Sequence, residues 1–369
     1  MKIKVEAPGR VNLIGEHTDY NGGYVLPGAI NKKITFEISK SSSNNCEVFS
    51  KSLNDSFFFK LKNIKKSKIH WQNYILGTID FFKLNGHKLK EFRCNINSNL
   101  PVGSGISSSS ALISGFSRAI IEFNNLKYSK IDIVKIVSYV ESEFIGLNGG
   151  IMDQFTINYG KKDHLILLNC TNSNHNYIKF KSDIYTILLL NTNVKHSLID
   201  SAYNQRVNEC KTAEKILNIH YNEIRRLANY SSDKLYRVKN KLNSKIYNRA
   251  NFVIHENKRT LNAADLLKKS KFKDFGKLMY KSHEGLKNLY EVSCPELDFI
   301  VDFTKDLKYV CGSRMMGGGF GGCTINLIEK KYLDSFIKLI SKNYSENFNK
   351  KLSSIKVSIG DGVSWKRFT

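Results

Sequence analysis

The chain of 369 residues has only four Pro and two Trp, and its seven Cys include no C-x-x-C pair. Cys46, Cys94, Cys170, Cys210, Cys294, Cys311 and Cys323 are odd in number and scattered, so neither a disulfide framework nor a zinc site is indicated and a reducing compartment is expected. No stretch approaches the roughly 18 apolar residues of a membrane span. The opening Met1-Lys2-Ile3-Lys4-Val5-Glu6 lacks the apolar run of a secretory signal, so a cytoplasmic protein without a membrane partner is expected. Acids are scarce as well: 33 Asp and Glu face 57 Lys and Arg, a formal charge of +24. Arg supplies only 11 of those 57 cations. Surfaces that clamp phosphates or read bases favour its bidentate fork, so the excess is expected to be a solvated Lys-rich surface rather than a specific nucleic-acid site.

What is present is enough apolar residue, 41%, to build real cores. Polar and apolar residues alternate over 2–6, 33–39, 46–50, 56–61 and 91–98, as in half-buried strands. Helical spacing follows, first from the serine run through Phe116 and Ile120, then over 129–145. An apolar run at 185–190 opens a second half that is helical from Tyr203 to about Tyr290, with strands at 323–328 and 354–359 around a helix at 333–344. An α+β chain is predicted, in two closely packed lobes, 1–184 and 185–369.

Four segments carry more polar chemistry than a turn needs. Residues 7–23 place Arg10, Glu16, His17 and Asp19 between glycines, a set of donors and acceptors able to ring a polyhydroxylated ligand, although a surface loop with Asp19 as a cap is the plainer alternative. Leu100-Pro101-Val102-Gly103-Ser104-Gly105-Ile106-Ser107-Ser108-Ser109-Ser110 reads equally as a phosphate loop opening a helix or as an ordinary Ser-capped start; no Lys follows the glycines, so it is not a Walker A loop. Residues 317–322 hold five glycines in six positions and satisfy G-x-G-x-x-G, but the segment that follows reads as a strand, which excludes a dinucleotide fingerprint. They describe a close backbone approach or a structural hairpin. In Gly149-Gly150-Ile151-Met152-Asp153-Gln154 a single acid stands among small and apolar residues, as a helix cap or as an acceptor of a hydroxyl proton.

In order and spacing these segments resemble the signatures of the galactokinases, a branch of the larger group of sugar, homoserine, mevalonate and phosphomevalonate kinases. The resemblance extends to Trp71-Gln72-Asn73-Tyr74, similar to the family's segment beside the adenine, and to residues 193–198 with Tyr203 and Arg206, similar to its segment with a sugar-contacting tyrosine. It implies a two-lobed small-molecule kinase with the active site between the lobes, phosphorylating galactose at its anomeric hydroxyl with ATP and Mg²⁺. By motif match Asp153 is the base or charge-positioning acid, and Arg10 the cation that holds it and steadies the transferring group. Glu16, His17, Asp19, Gly150, Asp153 and Tyr203 would hold sugar hydroxyls. Trp71 and Tyr74 would flank the adenine, Gly103, Gly105, Ser107 and Ser108 the phosphates, and Ser109 and Glu141 the metal. A monomer is expected. The chain departs from the family in lacking most of the usual leader before the sugar signature, and in Asn148-Gly149, where galactokinases usually carry Pro-Cys. A glycine there is similar to relatives that phosphorylate N-acetylgalactosamine, which makes such a sugar the alternative substrate. A non-catalytic sugar and nucleotide sensor is the rival of another class.

Overall fold

The computed structural model describes residues 2–101, 104–147, 149–194 and 199–368. Its strands are β1 (Lys2–Asn12), β2 (Tyr24–Val25), β3 (Pro27–Lys40), β4 (Cys46–Ser50), β5 (Asp55–Phe59), β6 (Phe92–Ser98), β7 (His164–Asn169), β8 (His175–Lys179), β9 (Tyr185–Asn191), β10 (Val310–Met316), β11 (Cys323–Glu329), β12 (Ser353–Val357) and β13 (Ser364–Phe368). The helices are α1 (His70–Leu84), α2 (Ser108–Phe123), α3 (Lys130–Tyr139), α4 (Met152–Tyr159), α5 (Ile199–Tyr221), α6 (Ser232–Arg237), α7 (Ser244–Lys268), α8 (Phe272–Asn288), α9 (Pro295–Thr304) and α10 (Leu333–Phe348).

Six strands form one sheet in the order β13-β1-β3-β6-β4-β5. Its alternation is that of a sheet covered on one face: Phe92, Cys94 and Ile96 are buried while Arg93, Asn95 and Asn97 face solvent, and α2 packs on β1 and β3 from the buried side. The second sheet, β10-β11-β9-β12, reads differently because both faces are covered. Residues 323–328 of β11 are all buried, with Ile325 and Leu327 in the core shared with the first sheet and Ile328 in a cluster with Phe336 and Ile340 of α10. A short third sheet, β2-β7-β8, joins the loop after β1 to the hairpin after α4.

The expected α+β content is observed. The last strand, β13, pairs antiparallel with β1, Val5 opposite Trp365, so the end of the chain completes the first sheet. The helix expected over 129–145 stops at Tyr139 and continues as a π-helical turn, Val140–Ile145, a widened turn that re-aims the side chain of Glu141. The pairing of β1 with β3 is interrupted between Pro8 and Arg10, and this bulge lets Arg10 leave the ladder's alternation. Its N–H goes instead to the Ile106 carbonyl at 3.1 Å, tying β1 to the serine segment.

Candidate active site

The loop after β1 is held from several sides. The Gly15 N–H, at φ +96°, donates to Glu256 Oε1 of α7 at 3.0 Å, and Ser282 Oγ of α8 donates to the same oxygen at 2.6 Å. Thr18 Oγ1 lies 2.8 Å from the Gly15 carbonyl and 2.7 Å from that of Tyr24, while Asn21 Nδ2 donates to the His17 carbonyl at 2.7 Å. These bonds fix His17 in the left-handed region at φ +62°, a conformation that a non-glycine residue keeps only where its surroundings impose it.

Asp153 does not cap α4, whose N-cap is Ile151. Its carboxylate accepts from Arg10 Nε at 2.6 Å and Nη2 at 3.0 Å, a bidentate pair, while Arg10 Nη1 donates to the Gly105 carbonyl at 2.5 Å. Ser107 occupies the N-cap of α2 in the left-handed region, φ 60°, and makes no capping bond. Its hydroxyl donates to Asp153 Oδ2. The first N–H groups of α2 are thereby left without a side-chain cap beside the Arg10–Asp153 pair, in position for an anion.

These groups border a cavity of about 220 Å³ lined by Arg10, Glu16, His17, Asp19, Ser109, Ser110, Glu141, Gly149, Gly150, Asp153, Tyr203, Gly317 and Gly318. The glycine segment is the connection of the β10–β11 hairpin and also a wall of this cavity: the Gly317 N–H donates to Glu16 Oε1 at 2.8 Å. Burial opposes the charge of Glu16, but Arg314 and Arg10 outweigh it and hold the carboxyl below its ordinary range. Burial pushes His17 down to about 4, so its ring is neutral. Asp19 is pushed up to about 7 by burial and by the charge of Asp153, and Glu141 likewise to about 7, mainly by burial, although Ser110 Oγ donates to it at 2.7 Å. Two carboxyls that resist ionising are what a cavity shows when the donors or cations that will stabilise them arrive with a ligand.

Both shifts have the same sign. A carboxyl raised in the native state contributes stability below its unfolded value, near 4, and loses it as pH rises through 7. Asp19→Asn is therefore expected to raise the melting temperature of the ligand-free protein at pH 8 by a few degrees, about 1–2 kcal/mol after allowance for solvent. The gain should shrink toward pH 4, where the native carboxyl is neutral. Thermal scans at the two pH values check this, and an equal shift at both would refute it.

Gly150 is required by contact. A Cβ there would lie 2.1 Å from Asp19 Oδ2, whereas at Gly149 it would meet no atom of the described residues within 4 Å. Gly150→Ala is expected to displace Asp19 and raise the KM of the substrate this cavity takes about ten- to a hundred-fold, with Gly149→Ala within about two-fold of the parent. Steady-state kinetics of the two variants decide it.

The structure thus brings together Arg10, Glu16, His17, Asp19, Glu141, Gly150, Asp153 and Tyr203, with Ser107 and Gly105 at the edge and Ser109 on the wall. Ser108 is exposed at the first turn of α2. Trp71 and Tyr74 stand apart, on the first turns of α1: Trp71 Nε1 donates to Asp55 Oδ2 at 2.8 Å, and Tyr74 is buried in the core. Gly103, Asn148 and residues 195–198 lie outside the described residues. Sequence reasoning missed Glu256 and gave Arg314 no role, although Arg314 is fully buried and binds the carbonyls of Asn12 and Leu13 as well as Glu16. Its one signal is a cation inside an otherwise uncharged strand.

Comparisons with known proteins agree with this geometry. Residues 2–40 match the galactokinase galactose-binding signature, 73–161 the GHMP kinases N terminal domain and 263–345 the GHMP kinases C terminal model. The chain is similar to a galactokinase of Thermotoga neapolitana, 39% identical over 98% of this chain and 99% of the relative. It is 40% identical to one of Clostridium tetani over 97% and 92% of the respective lengths. A crystal structure of Lactococcus lactis galactokinase complexed with galactose superposes with a TM-score of 0.93 at 31% identity, covering 98% of this chain and 95% of that one. Crystal structures of mevalonate kinases share the fold at a TM-score of 0.66 and 24% identity.

Proposed function

This chain belongs to the galactokinases within the GHMP kinases, and on that premise we propose that it transfers the terminal phosphoryl group of ATP to the anomeric hydroxyl of galactose in the cavity between Arg10, Asp153 and the loop after β1. The observation that carries the reading is the bond between Ser107 and Asp153, with Arg10 clamping the same carboxylate. The acid that would meet the sugar hydroxyl is thereby joined to the segment that would meet the phosphates, as in-line transfer requires.

In this reading Asp153 accepts the hydroxyl proton or anchors its developing charge, and Arg10 neutralises charge on the transferring group. Glu16, His17, Asp19, Gly150 and Tyr203 orient the sugar. Glu16 is ionised and accepts hydroxyl protons, while Asp19, raised toward 7, ionises as sugar hydroxyls donate to it. Phosphates lie on Gly103, Gly105, Ser107 and Ser108 with the first N–H groups of α2, and the adenine beside Trp71 and Tyr74. The residues present fit Mg²⁺: the Glu141 carboxyl is raised to about 7 mainly by desolvation and accepts a hydrogen bond from the Ser110 hydroxyl, with Ser109 on the same wall. One carboxylate plus hydroxyl and phosphate oxygens is the usual protein share of such a shell. Ser109 and Glu141 would hold the ion, which when bound neutralises phosphate charge.

The division into lobes 1–184 and 185–369 is part of the same reading; β9 begins the second sheet at Tyr185, and β13 returns to the first. A monomeric, cytoplasmic enzyme is consistent with the seven free thiols, and no described helix is long and apolar enough to cross a membrane. A coupled ADP-release assay over galactose, N-acetylgalactosamine, arabinose and glucose tests the reading. Galactose-dependent turnover with Mg-ATP is expected; galactose binding without ADP release would favour the sensor.

A further inference from the structure

Behind the cavity runs a chain of hydrogen bonds that phosphoryl transfer does not use. His17 Nδ1 lies 2.8 Å from the Tyr20 hydroxyl, which lies 2.8 Å from the Tyr290 hydroxyl, which lies 3.1 Å from Cys210 Sγ. Tyr290 and Cys210 are fully buried and His17 is 4% exposed. The rings of His17 and Tyr290 pack at 4.8 Å, a contact that restricts the imidazole. At the other end of the chain, His17 Nε2 is buried with no hydrogen-bond partner among the described residues, on a residue that lines the cavity.

The hydrogens along this chain fit best in one direction. The Cys210 thiol hydrogen has an acceptor in the Tyr290 oxygen at 3.1 Å, a contact in which either atom can be the donor. Tyr290 then donates to Tyr20, and Tyr20 to His17 Nδ1. The opposite order turns the thiol hydrogen away from Tyr290 and makes a phenol oxygen accept from the imidazole, although a neutral imidazole nitrogen is the better acceptor of the two. With Nδ1 accepting from Tyr20, the single proton of the neutral ring falls on Nε2, the nitrogen that has no partner among the described residues.

We propose that Tyr20, held in turn by Tyr290 and Cys210, is a positioning residue that fixes His17 as the Nε2–H tautomer, so that its ring enters the cavity as a donor to one sugar hydroxyl oxygen. The inference rests on reading the cavity as the sugar site. Tyr20 acts through His17, and its effect is on how the sugar is held rather than on the transfer step.

Two measurements test it. In ligand-free protein labelled with nitrogen-15 histidine, a long-range proton–nitrogen correlation, with His17 identified by its loss in His17→Gln, is expected to show the proton on Nε2 and a bare Nδ1; a proton on Nδ1 overturns the proposal. Tyr20→Phe keeps the ring and removes only the hydroxyl, and is expected to raise the KM for galactose about ten-fold with kcat changed less than about three-fold. The monodeoxygalactoses separate this from a loose fold. For one of them the parent enzyme should already show that loss, and Tyr20→Phe should add less than about two-fold, because the same bond is missing in both. An equal added loss on every sugar overturns the proposal. Absence of galactose turnover in the parent enzyme would instead sink the sugar-site reading, which the tautomer measurement does not depend on.

Discussion

Asp153→Asn is expected to lower galactose-dependent kcat by about two to four orders of magnitude, while galactose affinity measured by calorimetry changes less than about ten-fold. The substitution is nearly isosteric, so its effect comes from charge and proton inventory. In the parent, Arg10 Nε and Nη2 both donate to this carboxylate, at 2.6 and 3.0 Å, and Ser107 donates to Oδ2 as well. An amide offers a single accepting oxygen, so its NH₂ must oppose a donor of Arg10 or of Ser107. The buried guanidinium then loses half of its fork, and nothing at that position can take or anchor the hydroxyl proton. Arg10 is also bound to the Gly105 carbonyl, so its displacement carries into the segment assigned to the phosphates. Ser107→Ala removes one donor without reversing any bond and is expected to cost about ten-fold, which serves as the internal scale. Activity of Asp153→Asn within a few-fold of the parent would remove Asp153 from the chemistry.

Much of this site was legible in the sequence because its parts are local. Arg10, Glu16, His17 and Asp19 fall within ten positions, and a motif that dense in functional groups between glycines has few structural uses. Residues 46–50 and 323–328 were readable as strands for the same reason, since their alternation or continuous apolar character is set by the faces they bury. What escaped is long-range. Ser107 looks like an ordinary cap until Asp153, 46 residues on, is seen to take its hydroxyl. The break of the expected helix at Tyr139 has no proline or glycine to announce it; the π-helical turn that follows places Glu141 against Ser110. Glu256 and Ser282 support Gly15 from more than 200 residues away, on helices whose surface-like Lys and Asn content hides a buried acid. The pairing of β13 with β1 joins the two ends of the chain, and no local pattern specifies a partner at that distance.

The same long-range clamp predicts the largest effect on stability. Arg314 is fully buried, donating to the carbonyls of Leu13 at 2.7 Å, Asn12 at 2.5 Å and Met315 at 2.6 Å and to Glu16 Oε1 at 3.1 Å. Arg314→Met preserves most of the volume but leaves those carbonyls short of a donor and Glu16 without its nearest cation, which is expected to cost about 3–5 kcal/mol and lower the melting temperature by roughly 5 °C. The loss has a pH signature. Arg314 is the first of the charges holding Glu16 below its ordinary range against burial, so without it the native carboxyl rises. A raised carboxyl stabilises at low pH and forfeits that contribution as pH climbs. The deficit of Arg314→Met relative to the parent should therefore be smaller at pH 5 than at pH 8. Glu16→Gln in the Arg314→Met background should recover part of it at pH 8, since it removes the stranded charge, without restoring galactose binding. Thermal and urea unfolding of the parent, both single variants and the double variant at the two pH values separate the terms. A deficit independent of pH together with an additive double variant would mean that Arg314 acts through the loop carbonyls alone, and that the charge of Glu16 is balanced by Arg10 and the Gly317 N–H.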